Sequence, residues 1–145
     1  MNEKHIATLL AQIREYNLDT DMDFKFEDIQ VLSLVYNGCG PDWLSLSTRE
    51  FLTDFFDFFE PAFLPHDWDF LFLPKNEKNF HRANRRLRSN CLRLINCKHH
   101  WWQLISRRRR KIQAQLIYAA CEEFGFGGYM AALPEKLTEK YNAKM

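Results

Sequence analysis

The spacing of apolar residues predicts a largely helical chain. In residues 2–16 the apolar side chains recur at the i, i+3, i+4, i+7 spacing of one helix face. They are Ile6, Leu9, Leu10 and Ile13. This pattern predicts an N-terminal amphipathic helix that ends before Asp19. A second apolar stretch, 29–36, is short and leads into a loop at 37–41, where two glycines and a proline exclude regular structure.

The middle of the chain has the sequence marks of helix starts and stops. Residues 47–50, Ser-Thr-Arg-Glu, have the spacing of a capping box and predict a helix that continues into 51–59. Pro61 and Pro65 predict an interruption, because proline removes a helical hydrogen bond. Pro65 would then open another helix, which would place the His-Asp pair at 66–67 near a helix N-terminus.

Two longer amphipathic helices are predicted downstream. The first, of about five turns, would bury Phe80, Ala83, Leu87, Cys91, Leu94 and Ile95. Asn84 lies on this apolar face, and a buried amide needs a hydrogen-bond partner, so the core must supply one. The second begins near Trp101 and would turn inward Leu104, Ile105, Ile112, Leu116, Ala119, Ala120 and Phe124. Its predicted end is at Gly125, Gly127 and Gly128. A short helix is expected after Pro134.

These elements predict one all-α domain over 1–145, a compact helical fold with two long antiparallel helices and a glycine-rich loop. The 46% hydrophobic content and thirteen phenylalanines argue against disorder. No apolar run approaches the roughly 20 residues that span a bilayer, and the first residues lack a signal-peptide core. A protein without a transmembrane segment, cytoplasmic as synthesised, is therefore expected.

The four cysteines are scattered and form no Cys-x-x-Cys pair, so free buried thiols are the favoured interpretation. A zinc site built from Cys91, Cys97 and either His99 or His100 fits no standard ligand spacing. Neither a disulfide scaffold nor a zinc ribbon is indicated.

Charge is strongly segregated although the net charge is only +1. Residues 1–69 hold fourteen acids and four bases, whereas 70–145 hold sixteen bases and five acids. One interpretation is a solvated basic helix pair beside an acidic half; the other is a surface for phosphate-rich partners, lipid headgroups or nucleic acid. The candidate surface comprises Trp101, Trp102, Arg107, Arg108, Arg109, Arg110 and Lys111. For the two tryptophans a role as core anchors is the alternative.

One constellation could carry chemistry: the glycine loop at 36–40 and the pair His66-Asp67. A histidine in apolar surroundings can act as a general base when a third group orients it. An adjacent carboxylate, together with loop carbonyls, can bind a hard cation. From the residues alone, a satisfied core histidine is the competing interpretation of His66.

These two segments resemble phospholipases A2. Residues 36–40, Tyr-Asn-Gly-Cys-Gly, resemble the family's Tyr-x-Gly-x-Gly calcium loop, and residues 66–70, His-Asp-Trp-Asp-Phe, resemble its His-Asp-x-x-Tyr helix motif. Asn84 stands where an aspartate supports the histidine in the second long helix of the bacterial and fungal enzymes. Parvoviral capsid phospholipase domains share the loop and the His-Asp helix, and small uncharacterised phage and prophage proteins look similar. The resemblance spans about 36–95.

The resemblance implies a calcium-dependent hydrolase of the sn-2 ester of glycerophospholipids, acting on a phospholipid membrane surface. The carbonyls of Tyr36, Gly38 and Gly40 and the carboxylate of Asp67 would bind Ca²⁺, and His66 would activate water. The basic helices would favour an anionic membrane. The likeness to phage proteins implies a virion-associated or released location.

Two positions depart from the family pattern, Asn84 in place of aspartate and Phe70 in place of tyrosine. In a serine protease, the exchange of the histidine's aspartate for asparagine costs ~10⁴ in rate. Two non-enzymatic hypotheses therefore stand beside the hydrolase. One is a module that binds protein, anionic lipid or nucleic acid through residues 82–111. The other is a phage assembly protein in which a His66–Asn84 bond is purely architectural.

Overall fold

The structure, a computed structural model, describes residues 2–36 and 53–144. Within these residues there are seven helices and no strand, which confirms the all-α prediction. The helices are α1 (Glu3–Glu15), α2 (Ile29–Val35), α3 (Thr53–Phe72), α4 (Glu77–Lys98), α5 (Leu104–Phe124), α6 (Phe126–Ala131) and α7 (Glu135–Lys144). In this part of the chain no helix is both long and apolar enough to cross a membrane.

Helix α1 follows its sequence pattern. Its four apolar residues, Ile6, Leu9, Leu10 and Ile13, are all buried. The side chain of Asn2 caps the helix by accepting a hydrogen bond from the Lys4 amide at 2.8 Å. Helices α1 and α2 pack against each other and both pack on α3, so residues 2–36 supply the cover on one side of α3.

Helix α3 overturns the predicted interruption at Pro61 and Pro65, because both prolines lie inside one continuous helix of 20 residues. Each proline removes a main-chain hydrogen bond, and from the local sequence alone this loss predicts a break in the helix. Here residues 61–66 are buried all round the helix, between α1 and α2 on one side and α4 on the other. Tertiary burial of this segment offsets the lost hydrogen bonds.

Helices α3, α4 and α5 run alternately up and down. Side-chain contacts join Phe58 to His99 and His66 to Asn84, which makes α3 and α4 antiparallel. A hydrogen bond from Arg107 to Asn96 and a contact between Tyr118 and Arg88 do the same for α5 and α4. The antiparallel pair expected from sequence is therefore α4 and α5, and α3 adds a third long helix.

Helix α4 buries the six residues that were predicted to face inward, and α5 does not. In α5 only Ala114 and Ile117 are buried. The residues predicted to be inward but found exposed are Leu104, Ile105, Ile112, Leu116, Ala119 and Phe124. That part of the prediction is wrong, because the arc of α5 that meets α4 is the opposite one.

The glycines after α5 and the C-terminal helix complete the described chain. Gly125 ends α5, as expected, with its amide bonded to the Cys121 carbonyl. Gly127 and Gly128 lie within α6 and do not act as stops, so their predicted role is wrong. The helix expected after Pro134 is confirmed as α7. The capping box at 47–50 and the start of the helix predicted there lie outside the described residues.

Candidate functional site

The centre of the candidate site is a hydrogen bond between His66 and Asn84. Their Nε2 and Oδ1 atoms are 2.9 Å apart, across the α3–α4 contact. His66 is 7% exposed and Asn84 is fully buried. Because the amide oxygen only accepts, Nε2 carries the proton and Nδ1 holds the lone pair. Nδ1 has no hydrogen-bond partner among residues 2–36 and 53–144. This bond meets the need for a core partner that the sequence predicted for Asn84.

His66 lies in the interior of α3 and not near a helix N-terminus, so that expectation is wrong. Burial lowers the pKa of His66 to about 4, and the bond to Asn84 opposes the shift only in part. The imidazole is therefore neutral at pH 7 and able to accept a proton. It is also a weak base, since the described side chain bonded to it is the neutral amide of Asn84, which cannot stabilise the imidazolium form as a carboxylate would.

The two departures from the family pattern have visible consequences. Among the described residues, the buried Nδ2 atom of Asn84 has no hydrogen-bond partner. An orphaned buried donor costs about 1–3 kcal/mol, and aspartate would not incur this cost because it has no N–H. The ring of Phe70 packs on that of His66, with centroids 4.2 Å apart, but it has no hydroxyl to bond to the site. Phe70 also contacts Tyr129 and Phe80. These three rings form an aromatic wall, and Phe70 is its contact with His66.

Tyr36 connects the start of the glycine loop to α3. It follows α2 directly, its side chain is 3% exposed, and its hydroxyl donates to Glu60 at 2.8 Å. The same Glu60 oxygen lies 2.6 Å from Nε2 of His5 on α1. Glu60 is two helical turns before Asp67, so the residue that leads into the loop is held on the helix that carries the His-Asp pair.

The implied calcium ligands are only partly described. Tyr36 and Asp67 lie in the described residues, whereas Gly38 and Gly40 lie outside them. Asp67 is half-buried on α3, and its charge adds to burial in raising the pKa of Cys121 on α5 to about 12. A carboxylate and three carbonyls form an oxygen-only donor set, which fits a hard divalent cation.

A buried ion pair beside the site was missed at the sequence level. Arg86 on α4 donates from Nη1 to both carboxylate oxygens of Asp69, at 2.6 and 2.8 Å, and from Nε to Asp19 at 3.0 Å. Asp69 is fully buried; burial raises its pKa to about 7 and the charge of Arg86 opposes the shift. Local sequence carries no sign of this pairing, because the partners are 17 residues apart on different helices.

Asn90 has a structural task of its own. Its side chain donates to the Asp19 carbonyl at 2.8 Å and accepts from the Asp19 amide at 2.7 Å. This two-bond clamp holds the segment after α1 against α4. Asn90 is therefore no substitute partner for His66.

The basic run, which comprises residues 107–111, splits into two groups. Arg107 and Arg110 turn toward the protein: Arg107 donates to Asn96 at 2.9 Å, and the Arg110 guanidinium lies 4.2 Å from the centre of the Phe58 ring. The remaining three, Arg108, Arg109 and Lys111, are exposed. Trp101 and Trp102 are 80% and 60% exposed, so the interpretation of these residues as core anchors is wrong.

The possible zinc ligands have other surroundings. Cys91 is fully buried and Cys97 is exposed. Nδ1 of His99 lies 3.0 Å from the Ile95 carbonyl, and His100 stacks on Trp102. Across the described parts of the chain, no group of three or more His, Cys, Asp or Glu residues could hold a metal ion.

Comparison with known proteins adds no relative. No family model matches the chain, and neither the curated proteins nor the solved structures contain a match. The candidate site therefore has to be judged on its own geometry.

Proposed function

We propose that this protein is a phospholipase A2-like hydrolase that cleaves the sn-2 ester of glycerophospholipids with the help of calcium. The observation that carries the proposal is the bond between His66 Nε2 and Asn84 Oδ1. In the phospholipases A2 that the chain resembles, the residue at the position of Asn84 orients the histidine. Because Asn84 Oδ1 accepts from Nε2, Nδ1 is left as the basic atom.

In the proposed mechanism, Nδ1 of His66 takes a proton from the attacking water while Asn84 holds the imidazole in one tautomer and orientation. Asp67 and the carbonyls of Tyr36, Gly38 and Gly40 would hold the calcium ion. When bound, the ion supplies electrostatic stabilisation of the charge that develops on the ester oxygen. The aromatic wall that includes Phe70 excludes water from one side of the imidazole.

The same residues predict slow turnover. Asn84 orients His66 but offers no negative charge to the imidazolium that forms when the proton is taken. A base with a pKa of about 4 has little driving force for proton abstraction at pH 7. Restoring a carboxylate at position 84 should raise both the pKa of His66 and the rate.

The test is fatty-acid release from mixed phospholipid vesicles with millimolar calcium, for the wild type, His66→Ala and Asn84→Asp. We expect slow release by the wild type, none by His66→Ala, and release at least about tenfold faster by Asn84→Asp, a fraction of the ~10⁴ that the reverse exchange costs elsewhere. NMR titration of His66 should show its pKa rising in Asn84→Asp.

Asn96→Asp is the matched control, because it makes the same charge change on an exposed position of α4. It should leave both the rate and the His66 pKa at wild-type values. If neither the wild type nor Asn84→Asp releases fatty acid, the hydrolase proposal fails even though the hydrogen bond remains.

A second function, binding without catalysis, is favoured by one specific observation. Trp101, Trp102 and three cationic side chains of the basic run are exposed together at the start of α5. Such a module could bind protein, anionic lipid or nucleic acid, and it needs no chemistry at His66. Binding that survives His66→Ala in a protein with no hydrolytic activity would support this function.

A further inference from the structure

One side of α5 exposes apolar and cationic residues together, and we call it the α5 outer face. Its members on the helix are Ile105, Arg108, Arg109, Ile112 and Leu116, with Lys111 exposed at its edge; we include Trp101 and Trp102, which are exposed just before the helix. Trp101 is 80% exposed, Ile105 88% and Leu116 61%. The other side of the helix, with Ala114 and Ile117, is the one that packs on the protein.

The apolar members of the helix lie along one face, with arginines between the first and the second. Ile105, Ile112 and Leu116 have the i, i+7, i+11 spacing of one helix face, and Arg108 and Arg109 lie one turn after Ile105 on the same side. Single exposed apolar residues are normal, but a run of large ones that begins with two tryptophans marks an interaction surface.

Charge narrows the choice of partner. From residue 79 to residue 121 the sequence holds no Asp or Glu. Within the described residues, Arg108, Arg109 and Lys111 have no ion-pair partner, whereas Arg86 on the neighbouring helix is neutralised by Asp69. The α5 outer face is therefore positive as well as apolar, and its partner should be negative and able to take up aliphatic side chains.

We propose that the α5 outer face docks on the surface of an anionic lipid bilayer. Tryptophan, isoleucine and leucine would enter the boundary between headgroups and acyl chains, while the arginines and Lys111 would contact the lipid phosphates. A nucleic acid would use the charges and the tryptophans, but it has no place for Ile105, Ile112 and Leu116. A second copy paired along the same face would bring two clusters of like charge close together.

Docking does not depend on His66, so it is tested without catalysis. Flotation with phosphatidylcholine vesicles, with or without phosphatidylglycerol and always with a calcium chelator, measures binding alone. The wild type should bind only the vesicles that contain phosphatidylglycerol, and added salt should weaken the binding. The combined change of Arg108, Arg109 and Lys111 to Gln should weaken it about a hundredfold, from ~1 kcal/mol per charge.

Two matched controls separate this surface from net charge and from apolar content. Changing Lys4, Lys25 and Lys78 to Gln removes three exposed charges elsewhere and should change binding little. Ile112→Ser with Leu116→Ser should weaken binding at least about tenfold. Met22→Ser, at a side chain 98% exposed on another part of the molecule, should not.

Tryptophan fluorescence gives an independent readout. Emission should shift to the blue when vesicles with phosphatidylglycerol are added, because Trp101 and Trp102 leave water. The shift should be lost when both are changed to Phe. No vesicle binding, equal binding to neutral vesicles, wild-type binding by the triple Gln variant, or binding to duplex DNA but not to vesicles would each overturn the proposal.

The outcomes also separate docking from hydrolysis. Vesicle binding in chelator without fatty-acid release in calcium would leave docking standing and remove the hydrolase. Hydrolysis of dispersed short-chain phospholipid without vesicle binding would do the reverse.

Discussion

Helices α4 and α5 are neighbours, similar in length, basic and amphipathic, yet they use their apolar residues in opposite ways. Helix α4 buries its apolar stripe completely, with Leu94 and Ile95 at 0% exposure. Helix α5 buries only Ala114 and Ile117 and leaves Ile112 and Leu116 in solvent. Apolar periodicity therefore predicts that a helix forms, but not which of its faces meets a neighbour.

Position in the fold explains the difference. Helix α4 lies between α3 and α5, so one of its sides closes the core and the other supports α5. Helix α5 packs mainly on α4 and touches the start of α3 through Arg110 and Phe58. Nothing among the described residues covers its outer side, and its buried contact is made by Ala114 and Ile117.

The cationic residues follow the same division. Arg86 on α4 is 9% exposed and is bound to Asp69 and Asp19. Arg108 and Arg109 on α5 are exposed. The basic residues of the C-terminal half thus fall into two groups. Arg86 joins α4 to the acidic half of the chain through ion pairs of its buried side chain, and Arg108 and Arg109 remain on the surface.

The largest expected effect is on the free energy of unfolding, and it distinguishes the buried Arg86 from the exposed Arg109. Arg86→Ala leaves the buried carboxyl of Asp69 without its ion-pair partner and should lower the free energy of unfolding by about 3–5 kcal/mol. Arg109→Ala should stay within about 0.5 kcal/mol of the wild type. Urea denaturation measures both. Equal losses would contradict the assignment, and Asp69→Leu combined with Arg86→Met should recover much of the stability that Arg86→Ala loses.

The next comparison is between the stability effects of shortening a leucine on the buried face of α4 and one on the exposed face of α5. Leu94→Ala should cost about 2–5 kcal/mol, because it opens a cavity in the core. Leu116→Ala should cost less than about 0.5 kcal/mol, because that side chain is 61% exposed. The measurement is the urea midpoint of each variant, compared where the m-value, the dependence of the unfolding free energy on urea, is unchanged. A large loss for Leu116→Ala would mean that the α5 outer face is covered within the protein.

The smallest effect concerns the histidine held by α4. The pKa of His66 is about 4 in the folded state, below the ordinary histidine value of 6.5 that applies to the unfolded chain, so between these pH values the unfolded chain binds more protons. The contribution to stability is full above pH 6.5 and is lost as the pH falls to about 4, up to about 3 kcal/mol. The measurement is the urea midpoint against pH in chelator. His66→Gln should remove this loss, so the stability difference between the wild type and His66→Gln should shrink as the pH falls from 6.5 to 4. The opposite contribution of Asp69, whose pKa burial raises to about 7, is common to both proteins. A difference that does not change with pH would argue against a neutral buried His66.

Local sequence already determined much of the architecture. The helix of residues 3–15, the buried stripe of α4 and the helix after Pro134 follow from side-chain spacing and caps, because these depend on residues that are near one another in the chain. The need for a partner at Asn84 also follows, since an amide on an apolar face must be bonded. The calcium loop at Gly38 and Gly40 stays a prediction outside the described residues.

Only the tertiary structure decided the rest. Pro61 and Pro65 are kept within α3 because long-range burial outweighs a local cost. Asp69 meets Arg86, and Leu116 faces solvent, because helices from distant parts of the chain pack in one particular order. Spacing along one helix determines which residues share a face; whether that face is covered is set by the surfaces that other helices bring to it.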